Sequence, residues 1–297
     1  MVHNFAITNK KIDEFRYVKF LFLLYSLFPL VLSAQFFNQK KDWFQEESFF
    51  NDSTIKENRI KKISISISNK KDGESIKKSA EKINYEFKRN GQILASKKIY
   101  ISSYSIDTIS TLFQYNHKNL LTSRINEFNK FQFKFKYFYN QSGTIIKELK
   151  LDAVDKRYDT LYARTFVKKE IGTGYEISTL NEAKVAFLKE LYTAEGNTVT
   201  VRNSFYKNRN FTEYKYFFLN NRVETREKTV SMSEKRIIRE DFKFIQNLLD
   251  EVSIFKDGIL WLKRGIIYSD NGFPENIIER NYEEKLIRIY KLDIQFY

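Results

Sequence analysis

Phe131-Gln132-Phe133-Lys134-Phe135-Lys136-Tyr137-Phe138-Tyr139-Asn140-Gln141-Ser142-Gly143-Thr144-Ile145 decides the fold class of this chain. From Phe131 to Tyr137 aromatic and polar residues alternate, the period of a strand with one buried and one wet face. Phe133, Phe135 and Tyr137 then share one side, and Lys134 and Lys136 project from the other. Gly143 stands where the chain must reverse, since glycine enters φ > 0 without steric cost, and Thr144-Ile145 opens a return strand. The stretch reads as one β-hairpin.

Working outward, the same pattern recurs. Turn residues Gly91, Asn119, Gly143, Gly196, Asn220 and Gly272 are each preceded, four positions earlier, by an aromatic: Phe87, Tyr115, Tyr139, Tyr192, Tyr216 and Tyr268. The aromatics are separated by 28, 24, 53, 24 and 52 residues, which is a unit of about 26 with one degenerate copy inside each long interval. Two strands of ordinary length and their connections account for such a unit. Alternation also marks Ile63-Ser64-Ile65-Ser66-Ile67-Ser68 and the run from Leu286 to Ile294. The expected fold is therefore mainly β, an antiparallel sheet of tandem hairpins over 81–297, preceded by an N-terminal arm and first strand at 35–80.

Two segments depart from strand period. Thr179-Leu180-Asn181-Glu182 has capping-box spacing ahead of an apolar run, which predicts a helix over about 180–190. Ser231 with Glu234 precedes Ile238, Phe242, Ile245, Leu248, Leu249 and Val252, a spacing that predicts a second helix over 233–252. Both would pack over a sheet face or cap an open edge. The aromatic-rich stretch 35–60 lacks a clear period and reads as an ordered arm or short helix.

The recurring aromatic, polar turn and branched apolar residue resemble the YD or RHS-type repeats and the MORN-like hairpin repeats of exported bacterial proteins. The likeness runs over residues 80–297. The Tyr-Asp pair that names the first family is absent from these turns and occurs at Tyr158-Asp159. The resemblance implies a β-sheet shell, scaffold or binding surface, with no catalytic residues to carry over.

Composition narrows the chemistry. Across 297 residues there is no Cys and there are two His, so disulfides, thiolate metal sites and cysteine nucleophiles are excluded, and with His3 in a segment expected to be removed, His117 alone cannot supply a multi-histidine site. Phe20 to Leu32 is uncharged, follows Lys10, Lys11, Arg16 and Lys19, and ends at Ser33-Ala34, the pattern of a secretory signal peptide cleaved after Ala34. It is short for a bilayer span of ~30 Å. Its removal lowers the formal net charge from +14 to +12. Export to the periplasm or surface of a Gram-negative-type bacterium turns that charge away from nucleic acid and toward an anionic envelope component or another envelope protein. Lys134 and Lys136 are the candidate contact surface, and membrane association is expected only through an uncleaved signal segment.

Phosphate-cradling, dinucleotide and nucleophile-elbow motifs are absent. His117 falls in a repeat turn. Glu195, Asp241, Asp250, Glu251, Asp257 and Asp270 could supply the carboxylate pair of a glycan hydrolase if the fold brought two together. The leading expectation is an exported non-enzymatic β-repeat protein, a scaffold or binding protein of the cell envelope, with no catalytic residue, cofactor or metal. A small outer-membrane β-barrel is the alternative, opposed by the 30% of charged residues.

Overall fold

A computed structural model describes residues 36–42, 49–101, 105–129, 131–154, 157–207, 210–232 and 234–297. The expected signal peptide at 1–34 lies outside these residues. One short helix, α1 (Asp52–Glu57), precedes the strands β1 (Ile60–Lys71), β2 (Lys77–Phe87), β3 (Ile93–Ile101), β4 (Ile106–Tyr115), β5 (Leu121–Phe128), β6 (Phe131–Tyr139), β7 (Ile145–Val154), β8 (Arg157–Ile171) and β9 (Gly174–Leu180). There follow β10 (Ala186–Glu195), β11 (Thr198–Phe205), β12 (Phe211–Leu219), β13 (Arg222–Ser231), β14 (Lys235–Ile245), β15 (Leu248–Lys256), β16 (Ile259–Tyr268), β17 (Pro274–Asn281) and β18 (Leu286–Phe296).

Each strand pairs antiparallel with the next, and β1 pairs with β18, so the 18 strands close into an up-and-down barrel. The seam is set by matched alternation. Ile63, Ile65 and Ile67 face Ile294, Leu292 and Tyr290 on one side, while Ile63 and Ile65 face Tyr85 and Ile83 on the other. Register is strongly specified because a slip of one residue would turn these apolar side chains outward.

The closed barrel corrects the expected sheet with packed helices. Residues 181–185 form the β9–β10 turn: Asn181 N–H donates to the Val185 carbonyl, the Asn181 side-chain oxygen accepts from Val185 N–H, and Lys184 has φ 57°. Asn181-Glu182 thus serves as turn chemistry rather than as a helix cap. The second expected helix is the hairpin β14–β15, reversing at Gln246-Asn247 with φ of 48° and 70°. A spacing of four keeps side chains on one face of a strand as well as of a helix, so Ile238 and Phe242 did not discriminate. The three-residue steps that did suggest a helix span a turn and a bulge at Lys243/Phe244.

That hairpin is one of the two degenerate copies. Gly172 (φ 52°) in the β8–β9 turn divides the interval from Gly143 to Gly196, and Asn247 divides that from Asn220 to Gly272. Both missing turns therefore lie at the barrel end that carries the other six. Four positions before the first turn residue stands Lys168 in the copy at Gly172, in place of the aromatic, whereas the copy whose turn opens at Gln246 keeps an aromatic, the buried Phe242.

The core is confined to one side. The connected cluster of buried apolar side chains comes from the arm, β1 to β4 and β12 to β18, with Phe49, Ile55, Ile60, Ile63, Tyr85 and Ile277 fully covered, and Leu151 of β7 is buried apart from it. The arm supplies the middle of this cluster. Phe37 and Phe50 bridge as a short strand pair, and Phe50 lies edge-on to Tyr85 and Phe87 at 5.2 and 6.0 Å. A barrel of this strand number leaves a lumen wider than its own side chains can fill, and the arm fills part of it.

Candidate functional site

Strand register separates the two faces of the wall. Outward rows carry opposite charges in contact, as in Arg202–Glu213 (3.8 Å), Lys263–Glu251 (2.7 Å), Lys189–Glu176 (2.5 Å) and Arg239–Asp241 (2.8 Å). Inward rows alternate rings with ions. One crosses four strands as Arg124, Phe135, Lys150 and Tyr162, with Arg124 4.2 Å from the Phe135 ring centre. Another runs Glu170, Tyr175, Tyr192, Val201, Tyr214, Lys228. Tyr175 and Tyr192 stack at 4.8 Å. Gly174 permits this approach, since a Cβ there would lie 1.9 Å from the Tyr192 carbonyl oxygen. From β6 to β11 the inward rings remain partly exposed, so this half of the lumen is wet.

On the other side the arm is tied to the wall by a buried ion cluster. Arg226 donates through Nε to Glu240 at 2.8 Å and through Nη2 to Asp42 of the arm at 2.7 Å, and Lys228 donates to the second Asp42 oxygen at 3.2 Å. Burial alone would raise the Asp42 carboxyl, but Arg226 and Lys228 outweigh it and hold the group below its ordinary value. Arg226 is only 3% exposed, so its charge relies on these two carboxylates. Further along the same face Arg264 pairs with Glu279 at 2.8 Å, and Tyr290 donates to Glu279.

Where α1 meets the wall at β2 to β5, a cleft of about 450 Å³ opens. Phe50, Ile93 and Phe113 form its buried floor, with Tyr115 and Leu121 beside them. Asn38, Lys41, Asn51, Asp52 and Gln92 supply its polar rim. Gly91 sets the seating of α1, because a Cβ at that position would lie 2.1 Å from the Asp52 carbonyl oxygen.

The repeat positions all belong to this inner architecture. Phe87, Tyr115, Tyr139, Tyr192, Tyr216 and Tyr268 face inward, and the turn residues Gly91, Gly143, Gly196 and Gly272 have φ of 88°, 80°, 53° and 77°. Three of the tyrosines have a common task. Tyr115, Tyr139 and Tyr268 donate to the Ile93, Leu121 and Leu249 carbonyls at 2.9, 2.8 and 2.8 Å, each stitching one hairpin to the one before. Lys134 and Lys136 face outward, opposite Leu151 and Leu149 on β7, with Lys147 nearby across from Phe138.

The acidic candidates are not gathered in a cavity. Asp241 and Glu251 face outward in ion pairs, Asp257 and Asp270 sit in turns, and Asp250 pairs with Lys243 at 3.5 Å. Glu195 ends β10. Among the described residues no group of three or more His, Asp or Glu is arranged to hold a metal. Sequence reading missed Asp42, Arg226, Lys228 and Glu240. Glu240 between Ile238 and Phe242 was the available signal, an acid on the apolar face of a strand.

No family model and no curated protein matches the chain. Solved structures do. A porin-like protein from Bacteroides uniformis aligns over 80% of this chain and 97% of its own at 10% identity and a TM-score of 0.42. A porin-like protein from Bacteroides vulgatus aligns over 78% and 97% at 10% identity and a TM-score of 0.33. The TcdB2-TccC3 structure without its hypervariable C-terminal region aligns over 70% of this chain at 9% identity and a TM-score of 0.27, and this chain spans 14% of it.

Proposed function

We propose that the protein is an exported, non-enzymatic β-barrel of the cell envelope that binds a ligand in its lumen. The observation that carries this reading is the partition of its wall. A bilayer-spanning barrel presents an apolar band of ~25 Å outward and polar groups inward. Here ion pairs such as Arg202–Glu213 and Lys263–Glu251 break up the outward face, which also carries exposed apolar residues such as Leu112, Phe138 and Ile278, while the repeat aromatics face in. Such a barrel is suited to water on its outside, with apolar lining and paired charges available to a ligand inside. The arm covers one side of that lining and leaves the side from β6 to β11 accessible.

Fractionation of the native host with N-terminal sequencing tests the reading. The expected product begins at Gln35 and is released with the periplasmic contents by osmotic shock. Recovery in the cytoplasm with Met1 retained would overturn export, and recovery as an integral outer-membrane component would overturn the water-facing wall.

A further inference from the structure

The two rims of the barrel differ in polarity. At the rim that carries the repeat turns the chain reverses through polar residues and glycine, as at Gly196-Asn197, Asn220-Asn221 and Gln246-Asn247. In those turns and their immediate flanks only Leu219 and Ile245 are exposed large apolar residues. At the opposite rim eight of the nine hairpins carry such a residue in the turn or directly beside it, and the turn of the ninth, β7–β8, lies outside the described residues. The five most exposed large apolar residues among those described, Ile76, Ile106, Phe131, Met232 and Ile259, all stand on this rim and are 59% to 75% exposed. Val185, Tyr206 and Tyr282 occupy three further turns. Exposed apolar side chains scattered over a surface need no explanation, but their segregation to one end of the barrel does.

Charge and area decide what covers this rim. The chain as a whole carries +14, yet the described residues of these eight turns and their immediate flanks hold seven acids and seven bases. Several are already satisfied within the rim. Glu74 pairs with Lys77 at 2.7 Å, Glu182 accepts from Ala163 N–H at 2.9 Å, and Asp257 accepts from Ile237 N–H at 2.8 Å. Anionic lipid headgroups would therefore find no excess of cations here, and membrane anchoring by apolar side chains relies on that second attraction. A like rim meets no net repulsion. Both signs also flank single apolar tips, Glu74 and Lys77 beside Ile76, Glu234 and Lys235 beside Met232, so the surface suits an isologous contact, in which one patch must complement itself. Eight large side chains about half uncovered present on the order of 800 Å², taking about 200 Å² for each. That is about one partner's share of a standard stable interface. We infer that this rim is the contact surface for a second copy of the chain, so that two barrels meet mouth to mouth. The contact leaves free the rim where α1 is seated against Gly91. The inference goes beyond the lumen-binding reading above and does not depend on it.

The test is sedimentation velocity of the protein purified from its host, across a concentration series. A dimer is expected. Ile106→Lys with Ile259→Lys should raise its Kd at least about tenfold while the far-UV circular dichroism spectrum stays that of the parent. Leu219→Lys with Ile245→Lys, on the other rim, should leave the Kd unchanged. A second measurement uses the absence of native cysteine: Met232→Cys, which keeps a small apolar side chain, should join two copies through a short bismaleimide, and Leu219→Cys should not. A monomer at every concentration overturns the inference. So does a dimer indifferent to Ile106→Lys with Ile259→Lys, or one cross-linked through Leu219→Cys and not through Met232→Cys. A monomer that floats with phosphatidylglycerol vesicles, and ceases to do so with Ile106→Lys and Ile259→Lys, assigns the rim to a lipid surface and also overturns it. None of these outcomes bears on export or on binding in the lumen, so the two readings fail separately.

Discussion

Gly91 and Gly143 occupy equivalent turns, yet asparagine should be tolerated at only one of them. Both have positive φ, 88° and 80°, a region where an L side chain costs about 1–2 kcal/mol and asparagine less, since its short polar side chain bonds locally. Around Gly143 a new Cβ would meet nothing closer than Leu120 Cδ1 at 3.8 Å, an ordinary contact. At Gly91 it would meet the Asp52 carbonyl oxygen at 2.1 Å and Lys56 Cβ at 3.0 Å, so α1 must move. Overpacking of that kind costs about 1–3 kcal/mol beyond the conformational term. Gly143→Asn should therefore lie within about 0.5 kcal/mol of the parent, and Gly91→Asn about 2–3 kcal/mol below it. For a chain of this size that is a fall in Tm of roughly 4–12 °C. Urea unfolding at constant m value measures the difference, and limited proteolysis should cut the arm first in Gly91→Asn. Equal midpoints for the two asparagine variants would show that the arm does not pack on this turn.

Other expectations follow from the same geometry. Arg226→Met leaves Asp42 and Glu240 without their shared cation and should cost about 3 kcal/mol, more than the paired change that also replaces Asp42 and Glu240 with their amides, measured by a mutant cycle in urea. Because the Asp42 carboxyl is held below its unfolded value, its contribution is present above about pH 4 and is lost as pH falls through the folded value; Asp42→Asn should flatten the stability profile in that acid range and leave its shape unchanged near neutrality. Tyr139→Phe and Tyr268→Phe should each cost about 1 kcal/mol through the lost carbonyl bond, with Tyr192→Phe, whose ring stacks on Tyr175, costing less than half of that in the same assay. For the outward lysines, Lys134→Glu with Lys136→Glu should abolish any salt-sensitive binding of the mature chain to lipopolysaccharide, while retention of that binding would assign it to other residues.

How much of this was legible in the chain depends on the range of the interaction. Period-two alternation and turn chemistry are local, so Phe131–Tyr139 and the turns at Gly91, Asn119, Gly143, Gly196, Asn220 and Gly272 could be read directly. The copy at Gly172 was hidden because Lys168 replaces the aromatic of the repeat, and the copy at Gln246-Asn247, although it keeps Phe242, because its three-residue apolar steps across the turn read as a helix and Glu240 interrupts an otherwise apolar face with a buried charge. Closure is not local. It depends on Ile63, Ile65 and Ile67 matching Ile294, Leu292 and Tyr290 from opposite ends of the sequence. One signal was available even so: an Ile-Ser alternation free of proline is an unprotected edge, and such a strand needs a partner.

The candidate site was less legible than the barrel because it is made where the arm crosses to the wall. Residues 36–42 and 49–58 carry no period of their own, and their aromatics take meaning only from Tyr85, Phe87 and Phe273, which they cover. The same holds for charge. Arg226 is one basic residue among 51 Lys and Arg, and nothing local distinguishes it from the outward Arg202 or Lys215. What sets it apart is parity, since inward positions on β13 are shared with Lys228 and face Tyr216 and Glu240 across the ladder. Once the strands are placed, the parity of each charged residue tells whether it meets water or the lumen. An ion on the lumen side must then be matched, and Asp42 is the match that the arm brings. The arm and the wall are therefore selected together: substitutions at Arg226 should be tolerated only where position 42 changes with it, whereas Arg202 should vary independently of the arm.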